Sequence, residues 1–283
     1  MRKPSCAEDH PHASVRPQSS AQVTSYADDA SADIRLWLKD LSSPRACFVV
    51  DSLRNAMDAS ADAAVSVDMS RYMRNLLPFH GIKAIKRRQL QTEALQRVGW
   101  QGRHESWDDI ACTVLQLWLE PQREMQHAAV DMLVDAKSAV VGGGGFARAS
   151  RLLRLLLLSK SWWDTVDPLS SKLAGALVLT HPEQGGKLMD EWVGDMEHMW
   201  LRRCALLHQL SYKGMTNTDR LLRFCKSQLG GTDFFICKAI GWALRTCLRC
   251  KELQKEEAKV REWVQKHFYL MSTVTLREAT KCL

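Results

Sequence analysis

FARASRLLRLLLLSKSWWDTVD, residues 146–167, is the stretch whose periodicity decides the fold. From Phe146 to Leu158 apolar side chains recur at i, i+3, i+4 and i+7, one face of a helix. Arg148, Arg151 and Arg154 take the other face. The run LLRLLLL at 152–158 carries Arg154 and is far shorter than the roughly 18 apolar residues a membrane span needs. It therefore reads as a helix of a soluble core. At Ser159 the period stops, and two tryptophans and two aspartates, Trp162, Trp163, Asp164 and Asp167, come before Pro168.

The same period recurs on both sides. DIRLWLKDL (33–41), CFVVDSLRNAM (47–57), SWDDIACTVLQLWL (106–119), REMQHAAVDMLVDA (123–136) and MWLRRCALLHQL (199–210) all repeat it. Ser106 reads as the N-cap before WDD, and Asp219 as the N-cap before RLLRF. Alternation of period two is missing. The chain is expected to be all-α, and serial helix pairs of this length suit a helical-repeat solenoid. The glycines of VGGGG (141–145) come after a helix and precede Phe-Ala-Arg, so they read as a flexible helix–helix link and not a phosphate loop.

Composition narrows the class. A hydrophobic fraction of 46% and a charged fraction of 25% in 283 residues are those of a globular protein. Acids and bases balance over residues 1–45, so the whole net charge of +7 lies in residues 46–283, which favours a polyanionic partner. Residues 1–31, rich in Ser, Ala, Pro and mixed charge, read as a disordered extension, and residues 32–283 as one helical domain. Arg2, Lys3 and Arg16 would suit a transit peptide, but Glu8 and Asp9 oppose it, and no secretory apolar run is present. Nucleus or cytoplasm is the expectation, with an organelle as the alternative. The nine scattered cysteines read as free thiols of a reducing compartment. Cys247 and Cys250 lie one helical turn apart, and neither His267 nor Cys282 adds a zinc ligand at a standard spacing, so no metal is expected. With no apolar patch suggesting a dimer, a monomer is expected, and no membrane partner.

Three stripes place charge beside aromatic rings. They are Lys160, Trp163 and Asp167; Trp200, Arg203, Leu207 and Leu210; and Phe235, Lys238, Trp242 and Arg245. Taken singly, each reads as a core tryptophan with a snorkelling cation. Repeated along a basic helical chain, interleaved cations and aromatics suit a nucleic-acid backbone.

RYMRNLLPFHGIKAIKRRQL (71–90), SKSWWDTVD (159–167), MWLRRCALLHQLSYK (199–213) and FFICKAIGWALR (234–245) make the chain resemble the AlkD-like DNA alkylation-repair glycosylases. The likeness runs in order over roughly residues 46–283. It implies HEAT-like helical repeats with a concave basic face for duplex DNA. It also implies excision of cationic N3- or N7-alkylated purines without base flipping, and without a cofactor or metal. Carried over motif by motif, Asp167 takes the place of the catalytic carboxylate, and Trp163 and Trp242 those of the aromatics flanking the lesion's sugar. Arg203 matches a DNA-contacting arginine and Tyr72 a tyrosine at the lesion backbone. Lys213, Lys238 and Arg245 complete the expected DNA-binding set. Asp164 is then structural.

The residue types fit that chemistry. A cationic purine needs no acid to make it leave, whereas its departure builds positive charge on the sugar, which a carboxylate and indole faces stabilise. Two positions depart from the family pattern. Pro168 suggests that a new helix starts there, with Asp167 as its N-cap and Pro168 at N1. Ser211 replaces a lysine in QLSYK (209–213), leaving the phosphate contact there to Lys213. Two other readings stay open at this point: a non-catalytic relative that binds DNA or RNA, and a HEAT-type protein-interaction scaffold.

Overall fold

The computed structural model describes residues 31–281, and every regular element among them is helical. The order is α1 (residues 31–38), α2 (Ala46–Asp58), α3 (Ala63–Tyr72), α4 (Ala84–Arg97), α5 (Trp107–Leu119), α6 (Arg123–Asp135) and α7 (Gly145–Leu158). Then come α8 (Trp163–Pro168), α9 (Gly175–Thr180), α10 (Pro182–Val193), α11 (Met199–Leu207), α12 (Thr218–Ser227), α13 (Phe234–Leu248), α14 (Glu257–His267) and α15 (Thr273–Thr280). The all-α expectation holds. The proposed extension, except residue 31, lies outside the described residues.

Packing keeps to chain order. Helix α2 lies against α4 and α5, α5 against α6, and α6 against α8. Helix α10 packs on α11, α11 on α13, and α13 on α15. A continuous apolar core from Ile34 to Ala279 threads these layers. In α7 the sequence period is realised directly, with Leu152, Leu153, Leu156 and Leu157 buried and Arg148, Arg151 and Arg154 outside. Two of those arginines cover tryptophans, Arg148 at 3.8 Å from the Trp107 ring and Arg151 at 4.4 Å from Trp37. Among the described residues no helix is long and apolar enough to cross a membrane.

The helix starts confirm one cap and move another. Ser106 Oγ accepts the Asp109 N–H at 3.0 Å, as the sequence suggests. Helix α12 begins earlier than expected: Asn217, not Asp219, is its cap, accepting the Arg220 N–H at 2.9 Å. Both residue types cap well, and the pattern alone does not choose between two within one turn. The glycine link also differs from expectation. Residues Ala139–Gly143 form a π turn, and a Cβ on Gly144 would stand 1.9 Å from Trp107 Nε1. Gly144 is thus packed under the indole, whereas a Cβ at Gly142, Gly143 or Gly145 would meet nothing within 4 Å.

The segment after α7 carries the largest correction. Asp167 is not an N-cap, because α8 includes both Asp167 and Pro168 and continues without a break into α9. The joint is a π stretch, Leu169–Ala174, in which closure runs to the fifth residue. Proline lacks an N–H and crowds the preceding turn, and widening the turn by one residue relieves both. Hydroxyls take up carbonyls near the joint: Ser170 Oγ donates to Val166 O at 2.6 Å and Ser171 Oγ to Asp167 O at 2.9 Å.

Candidate functional site

Helix α8 places Trp163 and Asp167 four residues apart, hence on one face. The Asp167 carboxylate is gripped side-on by one guanidinium. Arg203 Nε donates to Oδ1 at 2.8 Å and the terminal Nη2 donates to Oδ2 at 2.9 Å. Arg203 is only 2% exposed, while the Asp167 side chain keeps 14%. The third nitrogen, Nη1, donates to the carbonyl of Phe235 on α13. One side chain from α11 therefore ties α8 to α13, and it does so with the planar fork that matches a carboxylate.

An aromatic cluster meets Arg203 through Phe235. Trp162 turns inward and stacks edge-on with Trp200 and Phe235 at centroid distances of 5.8 and 5.0 Å. Phe235 also lies 5.8 Å from the Arg203 guanidinium. Trp163 turns the other way and meets Tyr72, the last residue of α3, in a T-shaped contact at 6.4 Å. Tyr72 is 57% exposed. The field of Asp167 is felt behind the helix. The wholly buried Cys204 thiol is pushed up to about 12, first by burial and then by the Asp167 charge, against the pull of Ser170.

On α13, Trp242 is half-buried and lines a groove of about 600 Å³ together with Leu206, Leu210, Lys213 and Arg245. Its neighbour Gly241 is held tightly, since a Cβ there would lie 2.5 Å from Thr275 O and 2.6 Å from Glu278 Cβ on α15. That close approach is why KAIGW carries glycine before the tryptophan.

The structure sorts the expected residues. Asp167 and Arg203 come together, and Tyr72 meets Trp163 one helical turn from Asp167. Lys213 is exposed, in a left-handed backbone with φ of 52°, and Lys238 is half-buried. The two arginines expected at DNA have partners within the protein. Arg203 has its donors on Asp167 and Phe235, and Arg245 donates from Nη1 to Glu278 Oε2 at 2.9 Å and to the Glu278 carbonyl. In both cases a largely buried carboxylate has its counterion in the guanidinium. Lys160 also leaves its expected stripe. It precedes α8 with φ of 49° and donates from Nζ to the Glu120 carbonyl. Burial, then the Arg123 charge, lowers its ammonium to about 8.

Asp164 is held from α6. Arg123 Nε and Nη2 donate to its two oxygens at 3.0 and 2.6 Å, and His127 Nε2 lies 2.7 Å away. Sequence reading missed Arg123 and His127, although their four-residue spacing in REMQHAA puts both on one face of α6. It also missed Lys172, whose Nζ donates to Ser211 Oγ at 3.0 Å. The cysteine pair at 247 and 250 holds free thiols, and among the described residues no three His, Cys, Asp or Glu side chains gather as a metal would require.

A family model described as DNA alkylation repair enzyme matches residues 53–283. No curated protein matches the chain. Among solved structures, one described as a predicted DNA alkylation repair enzyme from Enterococcus faecalis is similar, with a TM-score of 0.67 and 26% identity. The match covers 79% of this chain and 96% of that one. Matched from α2 to its last residue, and alike in fold, this chain belongs to the DNA alkylation repair enzyme family.

Proposed function

We propose that the protein is a DNA glycosylase that hydrolyses the N-glycosidic bond of cationic N3- or N7-alkylated purines in duplex DNA, without turning the base into a pocket. The observation that carries this reading is the Asp167 carboxylate, held in one orientation by Arg203 and standing one helical turn from Trp163. The lesion supplies its own positive charge, so the departing purine leaves neutral and needs no general acid. Positive charge then develops on the deoxyribose. A carboxylate held by a fork cannot swing away, so its negative field is already in place when that charge appears. Its partly exposed edge can also orient the attacking water. Indole faces add about 0.5–2 kcal/mol each against a cation, depending on how well water is excluded. In this reading Tyr72, Lys213 and Lys238 meet the sugar-phosphate backbone, while Arg203 and Arg245 hold carboxylates and helices in register.

A second reading, a DNA-binding relative without excision, is favoured by the engagement of both Asp167 oxygens by Arg203. Release of 7-methylguanine and 3-methyladenine from methylated duplex DNA separates the two. The wild type is expected to release base and Asp167→Asn to lose at least about 10²-fold in rate, the scale of removing one preorganised electrostatic group, with duplex affinity nearly unchanged. Equal release by both proteins would remove Asp167 from the chemistry, and release by neither, with binding intact, would establish the second reading.

A further inference from the structure

Resting on the glycosylase reading above, we infer that Glu124, a buried carboxylate in the first turn of α6, is a positioning residue that holds Tyr72 of α3 against Trp163 of α8. Glu124 is wholly inaccessible. Its oxygens take three backbone donors from one short loop: His80 N–H donates to Oε2 at 2.9 Å, and Gly81 and Ile82 N–H each donate to Oε1 at 3.0 Å. Three converging donors call for a carboxylate, which has only lone pairs to offer. The start of a helix, where the macrodipole is positive, also favours a negative side chain there.

The loop that Glu124 grips is the base on which α3 stands. No side chain of α3 itself is buried, so apolar burial contributes little to its placement. Hydrogen bonds to the gripped loop fix it instead. Asp62 N–H donates to His80 O at 2.8 Å, and Ser66 Oγ donates to Phe79 O at 2.7 Å. Gly81, with φ of +88°, lies so close under the first turn of α3 that a Cβ there would stand 2.0 Å from Asp62 O. Its N–H meanwhile is on Glu124, so this one glycine is clasped between α6 and α3.

The far end of α3 reaches the site. Tyr72, its last residue, meets the Trp163 ring in a T-shaped contact at 6.4 Å. The first turn of α6 governs both sides of that contact. Arg123, next to Glu124 and equally buried, donates its backbone N–H to Pro78 O at 2.9 Å, while its guanidinium holds Asp164, the neighbour of Trp163. Two adjacent residues therefore set α3 and α8 at one spacing. An indole one turn from Asp167 stabilises a developing cation only while its face is already held in place, and the edge of Tyr72 supports it there.

The test is the fluorine spectrum of the full chain labelled with fluorotryptophan, in which the Trp163 line is the one missing from Trp163→Phe. Tyr72→Ala moves that line by removing the neighbouring ring. Glu124→Gln sets an amide NH2 against the loop's N–H donors. It is expected to move the same line in the same direction and to slow single-turnover base release about 10- to 10²-fold, the scale of a misplacement of about 1 Å. In the Tyr72→Ala background it is expected to slow release by less than about twofold more, a coupling that a general loss of stability would not produce. Should Glu124→Gln not fold, Ser66→Ala, which breaks the hydrogen bond to Phe79 O, carries the same test. With base released by the wild type, an unmoved Trp163 line or an unchanged rate overturns the inference and leaves the glycosylase reading standing. A moved line with no base release from the wild type keeps the hold of Glu124 on the Tyr72–Trp163 contact and ends the glycosylase reading instead.

Discussion

Arg203 at Asp167 and Arg123 at Asp164 are the same device used twice within one turn of α8, and their surroundings give them different work. Arg123 is essentially inaccessible, and Asp164 is further engaged by His127, so that ion pair is sealed into the fold. Burial tends to raise the Asp164 carboxyl, but the Arg123 charge and the His127 and Arg123 hydrogen bonds outweigh it and hold it well below its ordinary 3.8. A depressed folded value stabilises the protein above the unfolded value and loses that contribution as pH falls through the folded one. Asp164→Asn is therefore expected to cost about 3 kcal/mol at neutral pH, because it leaves Arg123 buried without a counter-charge. Urea midpoints of the variant and wild type should converge as the pH is lowered below about 4, where the aspartate of the unfolded chain begins to take up its proton. A gap that stays constant on acidification would show that Asp164 contributes by packing alone. Asp167 is held by a similar fork but keeps somewhat more of its side chain exposed, 14% against 9% for Asp164.

At the scale of elements, two joints position the site: the π stretch after Pro168 and the contact of α13 with α15. The second depends on one missing methyl group. A Cβ at Gly241 would overlap the Thr275 carbonyl and the Glu278 side chain, and Glu278 also holds Arg245. Gly241→Ala is expected to cost about 1–3 kcal/mol by overpacking, or about 2–10 °C in thermal midpoint for a chain of this size. It should also disturb Trp242 beside it, so single-turnover base release should fall by more than the unfolded fraction explains. A thermal midpoint indistinguishable from wild type would mean that α15 gives way without cost. Helices α5, α6, α7 and α11 were legible because each buries a face repeating about every 3.6 residues. The π stretch was not. A proline after Asp167 fits a helix start as well as a widened turn, and local pattern has no access to the packing of α11 that decides between them.

For the whole molecule, the net charge of +7 and the family membership together predict strong electrostatic association with duplex DNA. With about six phosphate contacts, affinity for undamaged duplex should fall roughly 10³-fold between about 50 and 200 mM salt. Fluorescence anisotropy with a labelled duplex measures this directly. A slope near zero would disqualify DNA as the partner and favour a protein-interaction scaffold.

Sequence by itself determined the helical class and the family resemblance, and through that resemblance it pointed to Asp167, Trp163, Trp242 and Tyr72. These depend on period and on short motifs, which a chain carries in one dimension. Only tertiary structure decided that Arg203 pairs with Asp167 and Arg245 with Glu278, that Lys160 leaves its stripe, and that Lys172 stands beside Ser211. A guanidinium or ammonium faces DNA or a carboxylate according to which buried acid it meets first. The acids in question, Asp167 and Glu278, lie 36 and 33 residues away along the chain from the arginines they hold. Pairings at that separation are set by how layers stack, and only the folded chain brings them within hydrogen-bonding distance.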